Sequence, residues 1–136
     1  MKAPTILIVH HDPMALDLYA GTYSTCLTPA PQVLTATNNA DAVRICGKQT
    51  VDLLITNITR SAATFGPEQG DGLILLEKIK IQFPSLPVFM ATGSVSSEQY
   101  QRALELGVDQ WFALPEGMPD LIAAVASHFG LQINRS

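Results

Sequence analysis

Charged side chains are scarce in this sequence. Only 15% of its 136 residues are charged, whereas roughly 25% is usual for a globular chain. The net charge is −4 and no segment carries a stripe of lysine and arginine, so the basic surface that nucleic-acid binding requires is missing. A surface with few charges exposes apolar groups instead. We therefore expect a protein partner or a second copy of the chain, and no nucleic acid.

Long apolar runs and closely spaced cysteines are missing as well. The apolar stretch 6–9 has the length of a strand and is far below the roughly 20 residues that span a bilayer, and residues 1–4 do not resemble a signal peptide. Cys26 and Cys46 lack metal or redox spacing. We predict that both are free thiols, at least partly buried, in a cytoplasmic protein that makes no membrane contact.

Five short apolar runs alternate with five segments of helical periodicity. Each connection between consecutive runs is long enough to hold a helix, which predicts a parallel sheet covered by helices on both faces. The fold class is therefore α/β, a doubly wound (βα)5 sheet, in one domain spanning 1–136 with its core at about 5–129. The predicted strands are Thr5–Val9, Val33–Ala36, Leu53–Thr56, Val88–Ala91 and Trp111–Ala113.

The helical segments carry start and stop signals. Asp12 followed by Pro13 predicts an N-cap and a first helical residue, while Gly107 and Gly130 are placed to end the fourth and fifth helices. In the first helix, the apolar spacing predicts that Leu18 and Tyr19 face the core.

One connection is longer than the others. The loop at 58–70 exceeds the two to six residues usual between a strand and a helix in such folds. It is expected to be a functional lid or a mobile insertion.

Several segments, in the same order along the chain, resemble the receiver domains of bacterial response regulators. The likeness extends from about Thr5 to Phe129. It implies a flavodoxin-like fold with strand order 2-1-3-4-5 and a role in two-component (phosphorelay) signalling. The segments are an apolar strand followed by His10-His11-Asp12, a strand ending in Thr56-Asn57, the start of a helix at Asp71-Gly72, a strand ending in Thr92-Gly93, and Trp111-Phe112-Ala113-Leu114-Pro115.

The positions that carry the family's chemistry mostly depart from its pattern. Asn57 stands at the position of the phosphate-accepting aspartate, and an amide is no nucleophile for that reaction. His10 and His11 occupy the acidic pair that would hold Mg²⁺, and Leu114 occupies the lysine that would steady the phosphoryl oxygens. Only Thr92, the switch threonine, and Trp111, the switch aromatic, keep the pattern. We expect no cofactor, no bound Mg²⁺ and no enzymatic activity.

Several of these residues admit more than one reading. His10 and His11 could bind a transition metal, but neighbouring strand residues point to opposite faces, so their rings are not expected to converge on one ion. Asn57 either braces the following loop, by hydrogen bonding to its backbone groups, or binds a ligand through its amide. Trp111 either belongs to an interface or caps the core beside Leu114. In receivers the face of the fourth helix, fifth strand and fifth helix binds partners, so Trp111 and Leu114 are candidate interface residues.

Three hypotheses for the function follow. The first is a pseudo-receiver that acts through protein contacts, with a partner protein or as a homodimer, without being phosphorylated. The second is an active receiver with an atypical acceptor or metal. The third is a small-molecule or transition-metal binder that reuses the pocket at the strand ends.

Overall fold

The computed structural model describes residues 3–57, 72–93 and 97–134, so the long loop predicted at 58–70 lies outside the described residues. The elements follow the alternation expected from the sequence. They are β1 (Thr5–Val9), α1 (Pro13–Cys26), β2 (Leu27–Thr28), β3 (Gln32–Ala36), α2 (Asn39–Lys48), β4 (Leu53–Thr56), α3 (Gly72–Gln82), β5 (Val88–Thr92), α4 (Ser97–Glu105), β6 (Gln110–Ala113), α5 (Met118–Phe129) and β7 (Gln132–Ile133).

Five strands form a parallel sheet in the order β3-β1-β4-β5-β6. This is 2-1-3-4-5 when only the strands of the main sheet are counted, so the predicted flavodoxin-like topology is confirmed. The predicted bounds of Thr5–Val9 and Leu53–Thr56 are unchanged, and the other three strands are each one residue longer. Two very short strands, β2 and β7, pair antiparallel and were not predicted, because two residues carry no periodicity to read.

Helices cover both faces of the sheet. Helices α2, α3 and α4 pack on one face around Leu54, Leu76 and Met90, and α1 and α5 pack on the other around Ile8 and Phe89. The three central strands β1, β4 and β5 are buried along their whole length. This burial explains their near-continuous apolar sequences, because helices shield the side chains on both faces of these strands from solvent.

The helix termini agree with the signals in the sequence. Oδ1 of Asp12 accepts a hydrogen bond from the backbone N–H of Met14 at 3.0 Å, which confirms the N-cap. Gly107 and Gly130 have φ of 91° and 70°, a left-handed conformation that glycine adopts without steric cost. Gly130 also ends α5 with a backbone hydrogen bond to Ala126.

The inward face of α1 was predicted wrongly in part. Leu18 is 68% exposed, whereas Leu16 and Tyr23 are the buried residues of this helix and Tyr19 is half-buried. The reason is that α1 carries apolar residues around most of its circumference, so the helical period does not select a single face.

Both cysteines are free thiols, as expected, with Cys46 buried and Cys26 half-buried. Burial raises the pKa of Cys46 to about 11, which keeps it a protonated and unreactive thiol. None of the helices in the described part of the chain is long and apolar enough to cross a membrane.

Candidate functional site

The carboxyl edge of the sheet collects the residues expected at the site. Strands β1, β4, β5 and β6 are neighbours and parallel, so the residues that follow them lie in one row. Val9 is paired with Thr56, which places His10 beside Asn57. The backbone N–H of Leu114 donates to the carbonyl of Thr92 at 2.8 Å and extends the pairing of β6 with β5.

A shallow depression at this edge brings three of the predicted site residues together. His10, Asn57 and Leu114 all line it. The remaining lining is mostly apolar and includes Tyr19 and Tyr23 from α1 and Met118 from α5. The cavity holds about 10 Å³, which is barely room for one water molecule. Among the described residues, the depression at this edge, where ligands usually bind in this kind of fold, therefore leaves no room for a ligand larger than a water molecule.

Leu114 takes part in this closure. It packs against the core cluster on the α1 and α5 face, together with Met118 and Tyr19. An aliphatic side chain offers no hydrogen bond to an anion, so the position contributes packing in place of charge. Burial also raises the pKa of the neighbouring Tyr23 phenol, so this hydroxyl stays neutral.

The two histidine rings lie against each other, although they were expected to point to opposite faces of the strand; whether they fail to converge on one ion stays a prediction. Their centroids are 4.7 Å apart and the rings are nearly parallel, at 19°. The expectation was wrong because β1 ends at Val9, so both histidines belong to the turn before α1, where strand alternation no longer holds. The contact is face to face, and Nδ1 of His10 already accepts a hydrogen bond from the backbone N–H of Asp12 at 3.0 Å.

His10 is held in its neutral form by these surroundings. Burial lowers its pKa first, the neighbouring His11 lowers it further, and Asp12 opposes both effects. The accepted hydrogen bond also requires an unprotonated Nδ1. His128, the third histidine, lines a cavity at the other end of the sheet with Pro84 and Pro87. Within the described residues, no group of three or more histidine, cysteine or acidic side chains could hold a metal ion.

Asn57 and Thr92 occupy adjacent strand ends. Asn57 is half-buried, and its carbonyl accepts a hydrogen bond from Oγ1 of Thr56 at 3.3 Å. Thr92 is 3% exposed. Whether Asn57 braces the loop at 58–70 stays a prediction, since that loop lies outside the described residues.

Trp111 lies apart from this depression. It is half-buried and packs on the opposite face of the sheet from Leu114, against the core cluster under α2, α3 and α4. Its ring meets Tyr100 of α4 in an edge-to-face contact at 5.0 Å. The two candidate interface residues therefore do not form one surface. Tyr100, which contacts Trp111, and Leu104 one turn further along α4 are 42% and 45% exposed.

The aromatic filling of the depression was not anticipated from the sequence. Tyr19 was assigned to the core, but nothing in the sequence linked Tyr19, Tyr23 or Met118 to the strand ends. They reach the site only because α1 and α5 both cover the same face of the sheet. A signal was present in Leu114, since an aliphatic residue at the end of a strand implies apolar neighbours.

Comparisons with known proteins agree with this architecture. Residues 6–126 match the response regulator receiver domain family. Among solved structures, the chain is similar to a CheY-like receiver domain protein from Methanospirillum hungatei JF-1, with 21% identity, a TM-score of 0.77 and 95% of each chain covered. It is also similar to a two-component response regulator from Clostridium difficile, with 22% identity, a TM-score of 0.76, and 93% of this chain and 96% of that chain covered. No curated protein sequence matches.

Proposed function

The chain belongs to the response regulator receiver domain family, and we propose that it is a pseudo-receiver, a two-component signalling module that acts through protein contacts without being phosphorylated. It is a non-enzymatic cytoplasmic domain that needs no Mg²⁺. One observation carries this proposal: the edge where receivers accept phosphate holds an apolar depression of about 10 Å³, lined by Asn57, His10 and Leu114.

The chemistry of that depression supports the proposal. Phosphoryl transfer to a protein requires a nucleophile, a counter-charge for the developing anion and room for the phosphoryl group. The amide of Asn57 is not such a nucleophile, and the Leu114 position holds no cation. Neutral His10 adds no positive charge and has its Nδ1 engaged with Asp12.

The surface that we propose for protein contact is the apolar patch of Tyr100, Leu104 and Trp111 on α4 and β6. The first two are exposed, and Trp111 is fixed beneath Tyr100 by their edge-to-face contact. Rigid aromatic groups bind partners at low entropic cost. The partner is a second copy of the chain or another signalling protein.

Mass spectrometry of the intact protein tests the phosphorylation part. The chain is incubated with Mg²⁺ and acetyl phosphate, and we expect no gain of a phosphoryl group. We expect the same for Asn57→Asp, because Leu114 and the histidines remain. A variant that also carries His10→Asp, His11→Asp and Leu114→Lys is the informative comparison, since it restores every missing group. Labelling of the unaltered chain would overturn the proposal and favour an atypical acceptor.

Light scattering over a range of protein concentrations tests the contact surface. If a second copy is the partner, the mass rises with concentration and Leu104→Glu holds it at that of a monomer. Ile81→Glu is the matched control, because Ile81 is an apolar side chain that is 72% exposed on a different helix, α3. Equal loss of association in both variants would contradict the assigned surface. A constant monomer mass would instead restrict the proposal to a different protein as partner.

A further inference from the structure

The amino edge of the sheet holds a concave surface far larger than the depression at the carboxyl edge. A partly open groove of about 730 Å³ lies where β1, β3 and β4 begin and α5 ends. Volumes of roughly 300–1,000 Å³ are typical of small-molecule sites in proteins. Its walls come from four separate segments of the chain, represented by Pro4, Pro29, Asp52 and Phe129.

A fixed carboxylate lies in this groove. Oδ2 of Asp52 accepts a hydrogen bond from the backbone N–H of Thr5 at 2.8 Å, and the backbone N–H of Asp52 donates to the carbonyl of Thr5 at 2.8 Å. This reciprocal pair locks the side chain across the starts of β1 and β4. A group held in one orientation before binding loses little entropy when a ligand arrives.

Polar groups around the carboxylate are also ordered. Oγ1 of Thr5 donates to Oε1 of Gln32 at 3.1 Å, which ties the start of β3 to the same network. The amide nitrogen of Gln32 remains as a hydrogen-bond donor beside the groove. The hydroxyl of Thr50 and the amide of Gln49 also line it.

The charge of Asp52 has no cationic partner in the described part of the chain. None of the ion pairs there includes it, and no described residue that lines the groove is a lysine or an arginine. Asp52 is half-buried, so its attraction for a cation is screened less than that of an exposed carboxylate. An anionic ligand would be repelled.

A second part of the groove wall is apolar and rigid. Pro4 and Pro29 have restricted backbones, and Phe129 is anchored by its contacts with the core cluster on the α1 and α5 face. Leu131 completes this wall. A ligand that satisfies both walls combines a positively charged head with a flat apolar body.

We propose that this groove binds a small organic cation, with an amine or amidinium head on Asp52 and an apolar body against the proline and phenylalanine wall. An amidinium is planar and presents two N–H groups to one carboxylate, which matches the available lone pairs of Asp52. The site lies at the sheet edge opposite Asn57, so the proposal does not depend on whether the chain is phosphorylated.

The test uses three flat ligands of nearly equal shape: benzamidine as the cation, benzamide as the neutral isostere and benzoate as the anion. Each is titrated into ¹⁵N-labelled protein while amide chemical shifts are recorded. Benzamidine is expected to give saturable shifts at Thr5, Thr50 and Gly130, with an affinity at least about tenfold higher than that of benzamide. Benzoate is expected to give none.

Variants distinguish binding to the Asp52 carboxylate from nonspecific apolar binding. Asp52→Asn keeps an acceptor for the N–H of Thr5 and loses the charge, so benzamidine affinity is expected to fall at least about tenfold. Asp17→Asn, on the exposed surface of α1, is the matched control and should leave affinity unchanged. Thr50→Trp fills the groove from an exposed position and gives a second route to loss of binding if Asp52→Asn melts early.

Four results would overturn the proposal. Two concern affinity: equal affinity of Asp52→Asn and the unaltered chain for benzamidine, and equal affinity of the unaltered chain for benzamidine and benzamide. The other two concern the shifts: shifts that centre on His10 and Asn57 instead of the amino edge, and no saturable shift up to the solubility limit of benzamidine.

Discussion

The two edges of the sheet are built in opposite ways. At the carboxyl edge, aromatic and aliphatic side chains from α1, α5 and Leu114 leave a depression of only about 10 Å³ among the described residues. At the amino edge, polar side chains and prolines surround a groove of about 730 Å³. Parallel sheets of this topology usually bind ligands at the carboxyl edge. In this chain the core has extended into that edge, and the concave polar surface lies at the other end.

The hydrogen bonds of the two edges also differ. At the carboxyl edge the side-chain hydrogen bonds of His10 and Asp12 are local: the backbone N–H of Asp12 donates to Nδ1 of His10, and the carboxylate of Asp12 caps α1 through the N–H of Met14. At the amino edge, bonds from Thr5 to Asp52 and Gln32 join three strands that are distant in sequence. The carboxyl edge therefore depends on apolar packing and the amino edge on polar ties, and substitutions can separate these two contributions.

The largest expected effect is at the closed edge. Tyr23→Ala removes a side chain that is 1% exposed and opens a cavity beneath the depression, which should lower the free energy of unfolding by about 3–5 kcal/mol. Phe129→Ala at the open edge removes a half-buried ring and should cost only about 1–2 kcal/mol. Urea denaturation with unchanged m-values measures both. Equal losses would mean that the two edges are packed equally well.

The next effect concerns the polar ties. Asp52→Ala removes a charged acceptor from the backbone N–H of Thr5 and should lower the free energy of unfolding by about 1.5–3 kcal/mol. Asp52→Asn keeps an acceptor at the same place and should cost less than Asp52→Ala in the same urea experiment. If both variants lower the free energy of unfolding by the same amount, the negative charge of Asp52 stabilises the fold and the hydrogen bond to Thr5 does not.

The contrast between the edges also explains what could be predicted from the sequence. Strand positions, strand order and the N-cap at Asp12 depend on local patterns or on the family resemblance, and these predictions are confirmed. The row of His10, Asn57 and Leu114 followed because parallel strands end at the same edge. Which residues close that row depends on how α1 and α5 pack, and the sequence of α1 is apolar on too many sides to settle its orientation.

The groove at the amino edge could not be predicted for a different reason. Its lining comes from the regions of Thr5, Gln32, Asp52 and Leu131, and none of these carries a motif that marks a site. The tie between Thr5 and Asp52 spans 47 positions. Such non-local contacts become visible only when the register between β1 and β4 is known.

A smaller effect is expected at the start of α1. Asp12→Ala removes the side-chain acceptor for Met14 and should lower the free energy of unfolding by about 1 kcal/mol. Asp17→Ala, an exposed position in the same helix, should change it by no more than about 0.5 kcal/mol. Comparable losses in the two variants would indicate a general effect of acidic charge on α1 in place of a specific cap.

The smallest effect is a dependence on pH that belongs to the carboxyl edge alone. The pKa of His10 is lowered in the folded protein, first by burial and then by His11, with Asp12 opposing. The unfolded chain therefore takes up a proton on His10 at a higher pH than the folded chain does. The contribution of this residue to stability is fully present above its ordinary pKa of 6.5 and is lost as pH falls through the lower folded value.

Urea unfolding of the unaltered chain and of His10→Gln, at pH values from about 8 down to about 5, checks this sign. The stability advantage of the unaltered chain should shrink as the solution becomes more acidic, because glutamine does not titrate. His128→Gln is the control at the opposite end of the sheet, where the side chain is exposed, and its curve should run parallel to that of the unaltered chain. An advantage that instead grows below pH 6.5 would mean that Asp12 stabilises a protonated His10, and the carboxyl edge would then hold an ion pair between these two residues in place of a neutral His10 ring.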